Sequence, residues 1–329
     1  MELADVLDSK SSPGDRVRVQ VPLPAPLERQ VKRLAFRITG ESIMAEKIII
    51  TSDSTTDLSP ELIERYGIKI LPMSITLGET TFYDTVDITP DDIYEHHRKF
   101  GELPKTCATN VGECTDFFKQ FVDDGYAVIH FTISSEMSST YSNSAIAASE
   151  FDNVHVVDTR NLSTGGGLLV LAACDMVKAG KSAKEAAEEC RKLADFVDAS
   201  FVIDSLEYLY KGGRCSALSV LGANLLKLKP CIEVKCGKMG VGKKYRGKYA
   251  EVLKQYAEER LENREDLVPT RAFVTHAGCE KAVVDSIVEL VKSKEIFDEV
   301  FVTRAGCTVS SHCGANTLGV LFVRKSKVE

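Results

Sequence analysis

A chain of 329 residues, 44% hydrophobic and 27% charged, can bury one large core or two ordinary ones, and its length favours two. Its formal charge of −7 argues against a nucleic-acid partner unless basic residues gather on one face. No apolar run reaches transmembrane length, which excludes an integral membrane protein of the helical kind, and the chain start lacks the basic-then-apolar order of a secretory signal. The ten cysteines are scattered and complete no cluster with histidine. They read as reduced thiols of a cytoplasmic protein, several of them buried.

Residues 1–45 stand apart. Ser11-Ser12-Pro13-Gly14 and then Pro22, Pro24 and Pro26 break any periodicity, and such a segment reads as a disordered extension. Order begins at Lys47. Residues 47–52 predict a strand, and Asp53-Ser54-Thr55-Thr56-Asp57 a polar turn at its carboxyl end. Asp53 and Asp57 would there tie down backbone N–H groups or, less simply, hold a metal. Ser59-Pro60 opens a short helix, with proline at its permitted first position. Residues 68–73 form the next strand, and Thr89-Pro90-Asp91-Asp92 starts another helix. Residues 104–109 read as a loop, and Asn110 with Glu113 as a capping box.

Residues 126–132 are apolar, β-branched and aromatic, as a buried strand requires. Ser134, Ser135, Ser138, Ser139 and Thr140 follow at once, before a helical segment. Hydroxyls at a strand-to-helix turn either cap the helix or hold an anion at its positive end. Further strands are expected at 154–158 and 199–203, with helices at 164–179 and from the Ser182/Glu185 box onward. This alternation predicts a parallel sheet covered on both faces over 46–205. After Gly212-Gly213-Arg214 the pattern changes. A helix at 218–226, a hairpin at 229–235 and 239–244, and strands near 272–276, 301–304 and 318–323 predict a second α/β domain over 206–329, with a mixed or antiparallel sheet.

Familiar motifs of chemistry are missing. There is no G-x-G-x-x-G, no G-x-S-x-G elbow and no H-E-x-x-H. Gly180-Lys181-Ser182 resembles the end of a Walker loop, but Asp175 stands where its first glycine belongs. Of six histidines, His130 and His155 read as structural, His96 and His97 as solvated. His312 lies among small residues, in a stretch that reads as a loop of close backbone approach, and is the best ligand candidate.

With these residues in order, the chain resembles the DegV family of fatty-acid-binding proteins. The resemblance rests on Asp53 to Leu58, Pro104-Lys105-Thr106, Ser134 to Tyr141, Asp158-Thr159-Arg160 with Gly165 to Gly167, Gly213-Arg214 and the His312 segment, over about residues 47–324. It implies two α/β domains with an apolar lipid tunnel between them and one long-chain fatty acid as ligand. It implies no catalytic residue, metal or cofactor of the protein's own. A separate fatty acid kinase would convert the presented carboxylate to an acyl phosphate. Carried over, the carboxylate ligands are Thr106, Ser135 (or Ser134) and His312, and Arg246 is a carboxylate or kinase contact. Two departures stand out: Cys107 replaces the usual serine, and Ala315-Asn316 replaces Pro-Gly after His312. Leu168, Leu169, Leu171, Leu218, Leu221 and Leu225 read either as tunnel lining or as ordinary core. Two other readings compete. One is a serine-dependent lipid esterase with Ser135 or Ser138, His312 and Asp53; the other is a carrier of another small carboxylate.

Overall fold

β1 (Ile48–Asp53) opens with three isoleucines and is buried from Ile50 to Asp53, the composition of a central parallel strand. The computed structural model describes residues 46–214 and 228–328. The expectations for residues 1–45 and for the helix at 218–226, with Leu218, Leu221 and Leu225, lie outside them. A 3-10 turn (Ser54–Thr56) and α1 (Pro60–Tyr66) lead to β2 (Lys69–Leu71), β3 (Ser74–Leu77) and β4 (Thr80–Tyr83). α2 (Pro90–Phe100), β5 (Lys105–Cys107), α3 (Val111–Asp123), β6 (Ala127–Thr132), α4 (Thr140–Ala148), β7 (Val154–Asp158), α5 (Thr164–Lys178) and α6 (Ala183–Leu193) follow. The remainder is β8 (Val197–Asp198), β9 (Ser200–Val202), α7 (Glu207–Gly212), β10 (Lys229–Lys235), β11 (Lys238–Tyr245), α8 (Tyr249–Leu261), β12 (Leu267–Ala277), α9 (Lys281–Ser293), β13 (Glu299–Arg304), α10 (Cys307–Cys313) and β14 (Thr317–Arg324). The capping boxes at Asn110/Glu113 and Ser182/Glu185 both form, with side chain and backbone satisfying each other.

The N-terminal sheet has the order β2-β1-β6-β7 and is parallel throughout. Its strands serve two cores. Ile129 and Phe131 of β6 face the side packed by α5 and α6, while Val128 faces Cys114 and Phe118 of α3. Leu168, Leu169 and Leu171 are fully buried on α5 in that first core, so the core reading holds for these three.

The C-terminal sheet is mixed, with the order β11-β10-β9-β14-β12-β13 and β8 also on β14. Only β12 and β13 run parallel in it among the described pairs. One face packs on α8 and α9. From the other, Phe201, Ile232, Phe273 and Leu321 join the cluster that holds Ile50 and Phe131, so the two sheets share a core. The strand expected at 199–203 in the first sheet is β9, which pairs antiparallel with β10 and β14 instead. Alternation of strand and helix reveals a strand without naming its partner.

Two local expectations are corrected. Residues 105–107, read as loop, form β5, an edge of the small β4-β3-β5 sheet, with Thr106 opposite Ile75. Three residues carry no readable period. His312, read as a loop residue, lies in the last turn of α10. The run Thr308-Val309-Ser310-Ser311 is a weak helix former, but its first N–H groups are capped from afar. Asp57 Oδ1 accepts from Gly306 N at 2.7 Å, and Asp84 accepts from Cys307 N at 2.7 Å and Thr308 N at 3.0 Å. Carboxylates at a helix start satisfy its orphan donors and its dipole.

Candidate functional site

Open α/β sheets bind ligands beyond the carboxyl ends of their strands, where the strand order reverses. Here that point lies between β1 and β6, and Asp53 bridges it. Its Oδ2 accepts from Ile133 N at 2.8 Å, and its Oδ1 accepts from both Thr55 N and Thr55 Oγ1. Asp57 Oδ2 accepts from Ser163 Oγ at 2.5 Å. Both aspartates are buried and tie down donors, as the simpler sequence reading expected. Burial pushes the Asp53 carboxyl up to about 6 and raises that of Asp57 well above its ordinary value.

Beyond these strand ends lies a cavity of about 190 Å³. Its interior wall is apolar, with Met73, Ile133, Met137, Leu162, Phe201 and Val309. Its polar members are Thr106 from β5, Ser138 and Ser139 ahead of α4, Arg214 after α7, and Thr308 and His312 from α10. A second, apolar cavity of about 30 Å³ continues inward and shares Leu162, Phe201, Val309 and Cys313 with the first. Three methionines, Met73, Met137 and Met239, give the larger wall an adaptable surface.

Thr106 and His312 meet although 206 positions separate them: Thr106 Oγ1 lies 2.9 Å from His312 Nε2. Burial, and then the Arg214 charge, push the His312 imidazole down to about 4, so it is neutral near pH 7. Its Nδ1 is buried and has no hydrogen-bond partner among the described residues. Gly212 explains the ring's position. A β-carbon there would press on Nδ1, so only glycine lets α7 end against the imidazole. The chain then turns through Gly213 at φ 68°, and Arg214 Nη1 donates back to Gly212 O at 2.8 Å. Just past the end of α10, Gly314 at φ 75° packs on Tyr208, where a side chain would collide. Asn316 takes φ 61°, a left-handed conformation that asparagine tolerates, so the Ala315-Asn316 departure is compatible with a turn at this point.

The remaining sequence candidates lie elsewhere. Ser134 is buried, but its Oγ donates to Gly237 O at 2.7 Å and so latches the β10–β11 turn onto the serine loop. Ser135 is exposed, and its N–H donates to Asp158. Neither lines the cavity; Ser138 and Ser139 do. Ser139 precedes α4 without making a side-chain cap bond, so its hydroxyl is not spent on the helix. Arg246 is exposed between β11 and α8 and does not line the cavity, whereas Arg214 does. Cys107 is exposed beside Thr106. Among the described residues no group of three or more His, Cys, Asp or Glu is arranged to hold a metal ion, and no helix is long and apolar enough to cross a membrane.

The depressed His312 value sets an acid sensitivity. A folded-state value of about 4 against an ordinary 6.5 means that its contribution to stability is present above 6.5 and is lost as pH falls through 4. Unfolding free energies of wild type and His312→Gln, measured from pH 7 to pH 4, should therefore converge on the acid side. Asp53 titrates with the opposite sign in both proteins and cancels in the difference. Parallel curves would show that His312 is not held neutral by the fold.

Fold and cavity together define a mixed α/β protein with a polar cluster at the head of an apolar interior. The family model described as "Uncharacterised protein, DegV family" matches residues 47–325, and the chain belongs to the DegV family. A DegV domain-containing protein of Clostridium acetobutylicum is 32% identical over 286 residues, 85% of this chain and 99% of its own. A solved DegV family protein from Thermus thermophilus, described by its fatty acid binding, superposes with a TM-score of 0.77 at 26% identity, covering 84% of this chain and 99% of that one. A stearic acid-binding protein from Eubacterium ventriosum superposes with a TM-score of 0.73 at 28% identity, covering 84% and 98%.

Proposed function

We propose that this protein binds one long-chain fatty acid, with the carboxylate at Thr106 and His312 and the tail in the apolar cavity. The observation that carries the reading is the Thr106–His312 contact at the head of a cavity walled by Met73, Ile133, Leu162, Phe201 and Val309. A neutral imidazole can donate from Nε2 to Thr106 Oγ1, freeing the threonine O–H to donate to a carboxylate oxygen. Ser138 and Ser139 stand ahead of α4, whose partial positive end favours an anion. Neutral donors orient the head group while the tail supplies affinity, at about 0.8 kcal/mol per buried methylene. The relatives described as binding fatty acids support the same reading.

Titration with hexadecanoate tests it. Thr106→Ala and His312→Ala should each weaken binding by roughly 5- to 150-fold, the cost of about 1–3 kcal/mol for a carboxylate left short of a donor, with the fold retained. Wild-type affinity in both variants would remove these residues from the site.

The family resemblance adds a division of labour, in which the protein presents the bound acid to a separate fatty acid kinase and performs no chemistry alone. Arg214 borders the cavity mouth and is the better placed arginine for a head-group or kinase contact; Arg246 remains a candidate for the kinase alone. Arg246→Ala should retain its lipid. Acyl phosphate should form from ATP only when a fatty acid kinase from the same organism is added. Turnover by the binding protein alone would overturn the presenting role.

A further inference from the structure

The apolar interior has two chambers, and four residues border both: Leu162, Phe201, Val309 and Cys313. A residue that lines two adjoining chambers stands between them, and Phe201 has the largest side chain of the four. Along β9 the alternation of a strand puts residues 199 and 201 on one face. Ala199 lines only the inner chamber, whereas Phe201 lines both. The same order runs along α10 and the residue before its cap: Ala305 lines only the inner chamber, Val309 both, and His312 only the outer. Thr106 also lines only the outer chamber. The inner chamber therefore lies across Phe201 from the Thr106–His312 pair.

Small residues open the inner chamber: Ala199, Ala277, Ala305 and Gly319, all buried. Its hydroxyls are spent on the protein. Ser163 donates to Asp57, Thr275 pairs with Thr303 at 2.9 Å, and Thr317 donates to Cys313 O at 2.9 Å. Burial, and then the Arg304 charge, lower the His276 imidazole below its ordinary value, so no charge faces the chamber. A chamber without free polar partners stays dry and takes apolar groups. At about 30 Å³ it has room for on the order of two water-sized groups, the last one or two carbons of a chain.

Resting on the fatty-acid reading, we infer that the inner chamber is a closed end-pocket for the terminal carbons of the tail and that Phe201, at its entrance, sets the longest acid the site accepts. Each methylene buried up to that limit raises affinity about 4-fold. Beyond the limit the chain has nowhere to go, and affinity stops rising or falls.

The test titrates purified, delipidated protein with the saturated even-numbered acids from dodecanoate to eicosanoate. Wild-type affinity should climb with length and then break at one acid. Ala277→Val adds two methyl groups to the inner chamber alone, at a strand position that suits valine. It should move the break to an acid about two carbons shorter and leave dodecanoate binding at the wild-type value. Ala305→Val fills the same chamber from another element and should do the same, which keeps the test sound if one variant folds poorly. Phe201→Leu removes the ring and should move the break to a longer acid. Fillers that weaken all acids alike or none of them, or a break that stays in place in Phe201→Leu, would overturn the inference and leave the fatty-acid reading standing. No binding of any acid by wild type would overturn both.

Discussion

Asp84→Ala should lower the unfolding free energy by about 3–5 kcal/mol, a large part of the roughly 5–15 kcal/mol available to a folded domain. Asp84 is fully buried and accepts three hydrogen bonds, from Ser54 Oγ at 3.0 Å, Cys307 N at 2.7 Å and Thr308 N at 3.0 Å. Alanine leaves all three donors buried and unpaired, and two of them start the helix that carries His312. Relief of repulsion offsets part of the loss, because Asp84 helps to raise both Asp53 and Asp57. Denaturant unfolding of the variant measures the balance. A loss below about 1 kcal/mol would mean that α10 does not depend on this carboxylate for its start.

Gly212→Ala should abolish tight fatty-acid binding while the sheets persist. The added methyl presses on the His312 ring, which is confined on its other side by Thr106. The ring must move, and its contact with Thr106 goes with it. The expected loss matches or exceeds that of His312→Ala, and the two should not add. With His312 already alanine, the methyl at residue 212 meets open space and should cost little further. A double-mutant cycle of hexadecanoate affinity measures this coupling. Full additivity would show that Gly212 acts through something other than the imidazole.

Much of this fold could be read from residue order. Isoleucine and valine runs marked β1, β6 and β7, and proline, serine and glutamate marked the helix starts, because those signals act within a few residues. What escaped is set at long range. Asp84 sits in an ordinary Tyr83-Asp84-Thr85 turn, and nothing nearby announces that it caps a helix 223 positions away. The same blindness hid α10, whose small polar residues are helical only because remote carboxylates hold its start. In the serine loop, composition showed that hydroxyls were present without showing where they point. Ser134 goes to the β10–β11 turn, Ser135 is exposed, the Ser138 hydroxyl accepts from Thr140 N at the start of α4, and Ser139 lines the cavity. Arg214 stood within a recognised motif, yet its place at the cavity follows from the approach of Gly212 to His312, which only the folded chain displays.

The central claim is that one long-chain fatty acid occupies the cavity headed by Thr106 and His312. Native mass spectrometry of the protein purified from cells, beside the Thr106→Ala/His312→Ala double variant, tests it most directly. The account predicts a single adduct of fatty-acid mass on the wild-type protein, released as a free acid on denaturation, and strongly reduced occupancy in the variant. A wild-type protein that carries no such adduct and takes up none when hexadecanoate is supplied, or a variant that retains it at wild-type occupancy, would contradict the account.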